Sequence, residues 1–193
     1  YLIREYSPQS LVKLMHSFGI KSKLDPVVSL CLGPVEVSVS EMVDAYTTFV
    51  NKGIKVEPMY VTRIEDNKGN IISTFTPQYT EIISEETSHK MLEMLKAVIN
   101  EGTGVRLRYR YQFKGDIGGK TGTTQNNSDG WFIGVTPELV SGTWVGGEDR
   151  SIHFDNLREG QGASMALPVW ALYMQKVYAD ETLGYSDTLK FDI

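Results

Sequence analysis

Gly118-Gly119-Lys120-Thr121-Gly122-Thr123-Thr124 places one cation among small and hydroxylated neighbours, with no bulky side chain between them. Such a stretch reads as a binding surface. Lys120 supplies a point charge or, if desolvated, a proton relay, while Thr121, Thr123 and Thr124 offer hydroxyls and backbone N–H groups. Gly122 lets a ligand come close to the backbone. Two glycines ahead of Lys-Thr also suggest a phosphate-binding loop, and spacing argues against it. That motif needs a glycine at position 114, which is Lys114; Gly115 is one residue too close. A phosphate loop also runs straight into a helix. Here Thr123-Thr124-Gln125-Asn126-Asn127-Ser128-Asp129-Gly130 is turn-forming and leads to a strand-like run, Trp131-Phe132-Ile133-Gly134-Val135. An ordinary Gly-Thr hairpin is the plain alternative, and Lys-Thr-Gly alone is a weak signal.

The 193 residues are 41% hydrophobic and 22% charged, enough for a normal core in one domain or a large piece of one. A net charge of -5 and a pI near 5.3 give no electrostatic footprint for nucleic acid or anionic lipid. Cys31 is the only cysteine, which excludes an internal disulfide and a cysteine-rich zinc site, and it is expected to fill core space. His16, His89 and His153 are too far apart in sequence to form a local metal-ligand pair. No apolar run reaches the ~20 residues that span a bilayer. The chain opens at Tyr1 without an initiator Met and continues Leu2-Ile3-Arg4-Glu5-Tyr6, so it is expected to be a piece of a longer protein whose targeting segments lie elsewhere.

Taken in order, Ser7 caps a helix with Pro8 at its first position, carrying Leu11, Val12, Leu14, Met15 and Phe18 and stopped by Gly19. A linker through Pro26, Gly33 and Pro34 leads to Ser38-Val39-Ser40-Glu41, a capping box for a helix that turns Met42, Val43, Tyr46, Phe49 and Val50 inward and closes at Gly53. Residues Val56 to Glu65 and Ile71 to Phe75 read as strands joined by the turn Asp66-Asn67-Lys68-Gly69-Asn70. Ser84 caps a third helix, with Met91, Leu92, Leu95, Val98 and Ile99 on its apolar face, and Gly102-Thr103-Gly104 follows as a turn or a cleft rim. Arg106, Arg108 and Arg110 alternate with Leu107, Tyr109 and Tyr111, a pattern that fits either a strand or an exposed mobile segment. Trp131 to Val135 and Leu139 to Val145 are expected to pair as a hairpin, with Asp129, Trp131 and Trp144 as scaffold and Trp131 in the core. Gly146 to Gly162 is loop-like. Ala163 to Tyr178 is a helix, with Pro168 in its first turn or at a kink. Helices at both ends around antiparallel strands indicate an α+β layered domain.

Several of these pieces, in this order, resemble the C-terminal half of a penicillin-binding protein transpeptidase domain, most like the class A, bifunctional enzymes. They are Leu32-Gly33 with Glu36-Val37-Ser38, Ala45-Tyr46 with Phe49-Val50-Asn51-Lys52-Gly53, and Gly102-Thr103-Gly104. The likeness continues through Gly119-Lys120-Thr121-Gly122-Thr123-Thr124, Asp129-Gly130-Trp131-Phe132-Ile133-Gly134, Trp144-Val145-Gly146 and Ala166-Leu167-Pro168-Val169-Trp170. The resemblance implies an antiparallel sheet layered with helices, the β-lactamase/transpeptidase-like fold, incomplete in this chain, so that residues 1–193 form the C-terminal part of a single transpeptidase domain. Of the family's signatures, Ser-x-x-Lys, Ser-Asp-Asn or a variant, and Lys-Thr-Gly, only the last is convincing. No Ser-x-Asn occurs, and Ser10-Leu11-Val12-Lys13 lies on the polar side of an amphipathic helix and reads as a decoy. By resemblance, the nucleophile and the Ser-x-Asn would lie upstream of Tyr1.

The reaction implied is serine acyl transfer on the D-Ala-D-Ala end of a peptidoglycan stem peptide, which β-lactams mimic, in a parent anchored to the inner membrane and facing the periplasm. It calls for no metal and no cofactor. Lys120, Thr121 and Thr123 would hold the substrate carboxylate. The Thr123 N–H would form half of an oxyanion hole, and Gly122 would keep the strand edge open to the peptide. Two other classes stay in view: a catalytically dead peptide-binding or sensor module of the same fold, and nucleotide binding. Fluorescent β-lactam labelling of the parent and a nucleotide titration discriminate them.

Overall fold

The computed structural model describes residues 7–192; the opening Leu2 to Tyr6 run lies outside the described residues. Local capping chemistry sets most helix starts. Ser7 caps α1 (Pro8–Ser17) by accepting from Ser10 N–H, with Pro8 in the first position. Ser38 and Glu41 close a reciprocal capping box on α2 (Val39–Val50). The Glu41 carboxylate also accepts from the N–H groups of Lys21 at 2.7 Å and Ser22 at 2.6 Å, which ties the linker to the helix start. Burial pushes this carboxyl up, but the bonds from Ser38 and Ser22 prevail and hold its pKa at about 2.

Beyond α2, the expected strand from Val56 to Glu65 is two pieces. A narrow arm leaves the body as β1 (Ile54–Val56) paired with β4 (Tyr79–Glu81), and ends in β2 (Arg63–Glu65) paired with β3 (Ile71–Thr74). The predicted turn closes the tip, where Asp66 accepts from the N–H groups of Lys68 and Asn70. At the arm's base Lys55 is buried beside Asp44 and Glu57. The chain then enters α3 (Glu85–Asn100), capped by Ser84.

The arginine alternation after α3 is one helical turn, α4 (Arg106–Tyr109), and not a strand. Bonds from the guanidinium groups, one of them long-range, hold this turn. Arg106 donates to Ala163 O at 3.1 Å, and Arg108 donates to the carbonyls of Phe113 at 3.0 Å and Gly115 at 2.8 Å. Three antiparallel strands follow, β5 (Gly118–Thr123), β6 (Asp129–Val135) and β7 (Val140–Gly146), in spatial order β5-β6-β7. A short turn of helix, α5 (Leu157–Gly160), precedes the long α6 (Gly162–Ala179), whose Pro168 sits in the second turn, past the first-turn position considered from sequence.

The sheet is covered on both faces, which matches the layered α+β expectation. Side chains alternate across strands. Gly134 and Gly130 lie so close under Trp170 and Gly162 of α6 that added Cβ atoms would come within 2.3 Å and 2.9 Å of them. On the opposite face Gly118 meets Leu95 of α3, and Gly142 meets Val39 and Val43 of α2. Trp170, Phe132, Ile99, Leu107 and Ile117 are fully buried in the core between sheet and α6. Phe18, Ile20, Leu24 and Ala45 form a separate cluster where α1 and α2 meet.

Two readings are corrected. Cys31 is exposed, because its helical turn Val28–Leu32 turns Leu30 inward and leaves the thiol outside. Trp131 is half-buried and its cross-strand partner Trp144 is 42% exposed; the tryptophan that fills the core is Trp170. The helix α1 buries none of its own residues fully, although Val12 and Met15 pack on the Phe18 cluster.

Candidate functional site

β5 carries the Lys-Thr-Gly stretch and pairs on one side only, with β6, so its other edge is open among the described residues. At the strand's end the Thr124 N–H donates to Asp129 O at 3.2 Å. In an antiparallel ladder hydrogen-bonded pairs alternate with non-bonded ones. Thr124 facing β6 therefore puts Lys120 and Gly122 in bonded pairs with Ile133 and Trp131, and turns the N–H and C=O groups of Thr121 and Thr123 outward. The outward Thr123 N–H is the donor that the sequence reading singled out. Lys120 is exposed, and its Nζ donates at 2.7 Å to Thr121 O on that open edge.

Thr123 and Thr121 turn their side chains to the α6 face. Thr123 Oγ1 accepts at 2.9 Å from the N–H of Gly162, the first residue of α6, and Thr121 Oγ1 lies 2.7 Å from Thr103 Oγ1. Gly122, between them, faces Trp131, and a Cβ there would sit 3.0 Å from the Trp131 Cβ. The four sequence-selected residues thus share one strand, which presents the outward backbone groups of Thr121 and Thr123 and the Lys120 ammonium at its accessible edge while Gly122 pairs with Trp131 of β6. The sequence reading did not find the partners that orient them, Thr103 and Gly162. The Gly102-Thr103-Gly104 alternative of a cleft rim was the one signal for Thr103.

Past Thr123 the chain turns through Gln125–Asn127, with Asn126 and Asn127 at φ 61° and 53°. Thr124 Oγ1 accepts from Asp129 N–H at 3.2 Å and lies 3.1 Å from Ser128 Oγ, closing the turn without a following helix. The phosphate-loop architecture is therefore absent at this site. Thr123 to Ser128 form one wall of an open cleft of about 960 Å³, whose other wall includes Ser29, Leu32, Gly33 and Arg150. Beside it, Asp129 Oδ2 accepts at 3.0 Å from the Trp144 indole, a scaffold role for both.

Ser10 and Lys13 are exposed on α1 and neither lines this cleft. The Ser10 hydroxyl lies 3.0 Å from that of Ser7, within the helix cap. No helix among the described residues is long and apolar enough to cross a membrane.

A family model described as the penicillin binding protein transpeptidase domain matches residues 17–146. Penicillin-binding protein 1A of Aquifex aeolicus is 34% identical over 168 residues, covering 86% of this chain and 22% of that protein. Penicillin-binding protein 2D of Bacillus subtilis is 32% identical over 176 residues, 89% of this chain and 25% of its own length. The chain thus spans a quarter or less of these curated relatives. Among solved structures, penicillin-binding protein 1A from Haemophilus influenzae superposes with a TM-score of 0.77 at 25% identity, over 93% of this chain and 32% of that one. PonA1 from Mycobacterium tuberculosis, solved in complex with penicillin V, shares the fold with a TM-score of 0.71 at 21% identity, over 95% of this chain and 52% of that one.

Proposed function

Because the chain belongs to the penicillin-binding protein transpeptidase domain family, we propose that it is the C-terminal part of a D,D-transpeptidase domain that cross-links peptidoglycan stem peptides. The observation that carries this reading is the free outer edge of β5. It offers the outward N–H of Thr123 and the exposed ammonium of Lys120 on one accessible line.

An extended peptide can add to such an edge through backbone hydrogen bonds. Lys120 and the hydroxyls of Thr121 and Thr123 would meet its terminal carboxylate, with a charge-assisted bond from the ammonium. A serine from the upstream part of the domain attacks the penultimate D-Ala carbonyl carbon. The Thr123 N–H holds the oxyanion that forms, D-alanine leaves with a proton, and the acyl group passes to an amine of a second strand. One oxyanion donor lowers the barrier by about 3–4 kcal/mol. A β-lactam enters by the same route and stays as the acyl-enzyme.

The parent is then a class A protein with a glycosyltransferase domain, anchored in the inner membrane with this domain in the periplasm. The relatives named penicillin-binding protein 1A support that assignment. Residues 1–193 alone carry neither the nucleophile nor the Ser-x-Asn, so on their own they are inactive. Labelling the full-length protein with a fluorescent penicillin and mapping the adduct by mass spectrometry tests the whole reading. A single adduct on a serine upstream of Tyr1 is expected. A folded parent that takes up no label is a dead binding module of the same fold, and an adduct on Ser10 overturns the assignment.

A further inference from the structure

Thr103 and Thr121 are 18 residues apart in sequence, yet their hydroxyl oxygens are 2.7 Å apart at the open edge of β5. The turn that delivers Thr103 is tightly fixed. Gly104 N–H donates to Val98 O at 2.9 Å, and Val105 N–H to Gly102 O at 3.2 Å. Both glycines are pressed against α3: a Cβ on Gly102 would lie 2.9 Å from Val98 O, and one on Gly104 would lie 2.5 Å from Ile99 Cδ1. Just beyond, Arg106 donates to Ala163 O at 3.1 Å and Ser164 Oγ at 3.0 Å. The turn is thereby held to α3 on one side and to the start of α6 on the other.

A hydroxyl carries one hydrogen and two lone pairs, so only one of two touching hydroxyls donates to the other. Among the described residues neither Thr103 Oγ1 nor Thr121 Oγ1 has another hydrogen-bond partner. An anion beside Lys120 removes the ambiguity. Thr121 gives its hydrogen to the anion, and Thr103 must then donate to Thr121. Each bond in such a chain polarises the next and strengthens it. Resting on the transpeptidase reading above, we propose that Thr103 is a positioning residue. By donating to Thr121, it fills a lone pair of that hydroxyl and aims its hydrogen at the carboxylate of the bound peptide or β-lactam. Recognition of the carboxylate therefore begins one layer behind the Lys-Thr-Gly strand.

The test uses the full-length protein, a penicillin as its free acid, and the same penicillin with its carboxylate methylated. For the free acid, Thr103→Val should lower the second-order acylation constant by up to about tenfold, the size expected for one hydrogen bond between neutral hydroxyls. The loss should fall on initial binding, with the acylation step itself little changed. Thr103→Ser keeps the hydroxyl and should restore the wild-type rate. With the methyl ester, wild type and Thr103→Val should acylate alike. Thr103→Ala, with the same hydroxyl loss and less bulk, should reproduce Thr103→Val. Equal losses on acid and ester would make Thr103 merely structural and overturn the inference, as would normal acylation of the free acid by Thr103→Val. A wild-type protein that takes up no penicillin at all instead removes the transpeptidase reading, and this inference with it.

Discussion

Thr123 Oγ1 accepts a hydrogen bond at 2.9 Å from the backbone N–H of Gly162, tying the end of β5 to the first residue of α6. The first N–H groups of a helix have no partner within it, so Thr123 caps α6 from a different element. The approach is close: a Cβ on Gly162 would sit 2.1 Å from Gly122 O. Thr123→Ala leaves a buried N–H unpaired, and we expect a loss of about 1–2 kcal/mol. Thr123→Ser should keep the bond and the stability. Thermal melts of the two variants check this, and equal Tm values would remove the capping role.

Lys55 stands at the base of the arm, with a side chain only 4% exposed, and its Nζ lies 3.7 Å from Asp44 Oδ2. Burial raises the Asp44 carboxyl, and Lys55 works against that rise. Lys55→Met would leave the carboxylate buried without its cation, and removing one partner of a buried pair costs about 3–5 kcal/mol. The Asp44 pKa in this variant should climb further above 3.8, its ordinary value. A carboxyl whose folded pKa lies above its unfolded one binds a proton preferentially in the folded state. The deficit should therefore shrink as pH falls through the raised value. Adding Asp44→Leu should recover part of the stability at neutral pH. Denaturant unfolding of wild type and both variants at neutral and acid pH reads all three effects.

Glu41 gives the opposite pH sign. Its folded pKa of about 2 lies below the ordinary value of 4.5, so its contribution is fully present above pH 4.5 and is lost as pH falls toward 2. The carboxylate accepts from Ser38, Lys21 and Ser22. Glu41→Gln should be less stable than wild type at neutral pH, with a gap that stays constant above pH 4.5 and closes between 4.5 and about 2. Urea midpoints measured across this range decide it. A gap that persists at the acid end would assign the loss to packing rather than charge.

The elements that sequence made legible are those whose cause is local. Ser7 with Pro8, Ser38 with Glu41, and Ser84 cap helices through neighbours three residues away, and Asp66 closes its turn within four. The β6-β7 hairpin followed from apolar runs and turn residues, whereas β5 (Gly118–Thr123) has no apolar run and was expected as a strand only through the family resemblance. What escaped is set by side-chain partners and rotations that no local pattern encodes. Arg106 and Arg108 look like alternating strand residues until their guanidinium groups reach Ala163 and Gly115. Cys31 is apolar enough for a core, but the rotation of a single helical turn gives the interior to Leu30. In the candidate site, Lys120, Thr121, Gly122 and Thr123 were readable as a motif. Their supports Thr103 and Gly162 lie 18 and 39 residues from the threonines they touch, beyond the reach of any periodicity.

The roles proposed for the β5 edge impose an order on three substitutions in the full-length protein. Lys120 is exposed and among the described residues donates only to the Thr121 carbonyl, so Lys120→Ala should leave folding intact. If its ammonium meets the substrate carboxylate in a water-excluded site, the same change should cost several kcal/mol in acylation. Thr123→Ala retains the backbone donor, and its acylation loss should be smaller, arising from the lost hydroxyl contact to the carboxylate and from the freed end of α6. Thr123→Pro deletes the outward N–H itself. Because that N–H points away from β6, no ladder bond is lost, and the acylation defect should approach that of Lys120→Ala. Second-order acylation constants with a penicillin, set beside thermal melts, give the order directly. Near-normal acylation by Lys120→Ala together with a lowered Tm would make Lys120 structural and remove the main support for a carboxylate-binding strand.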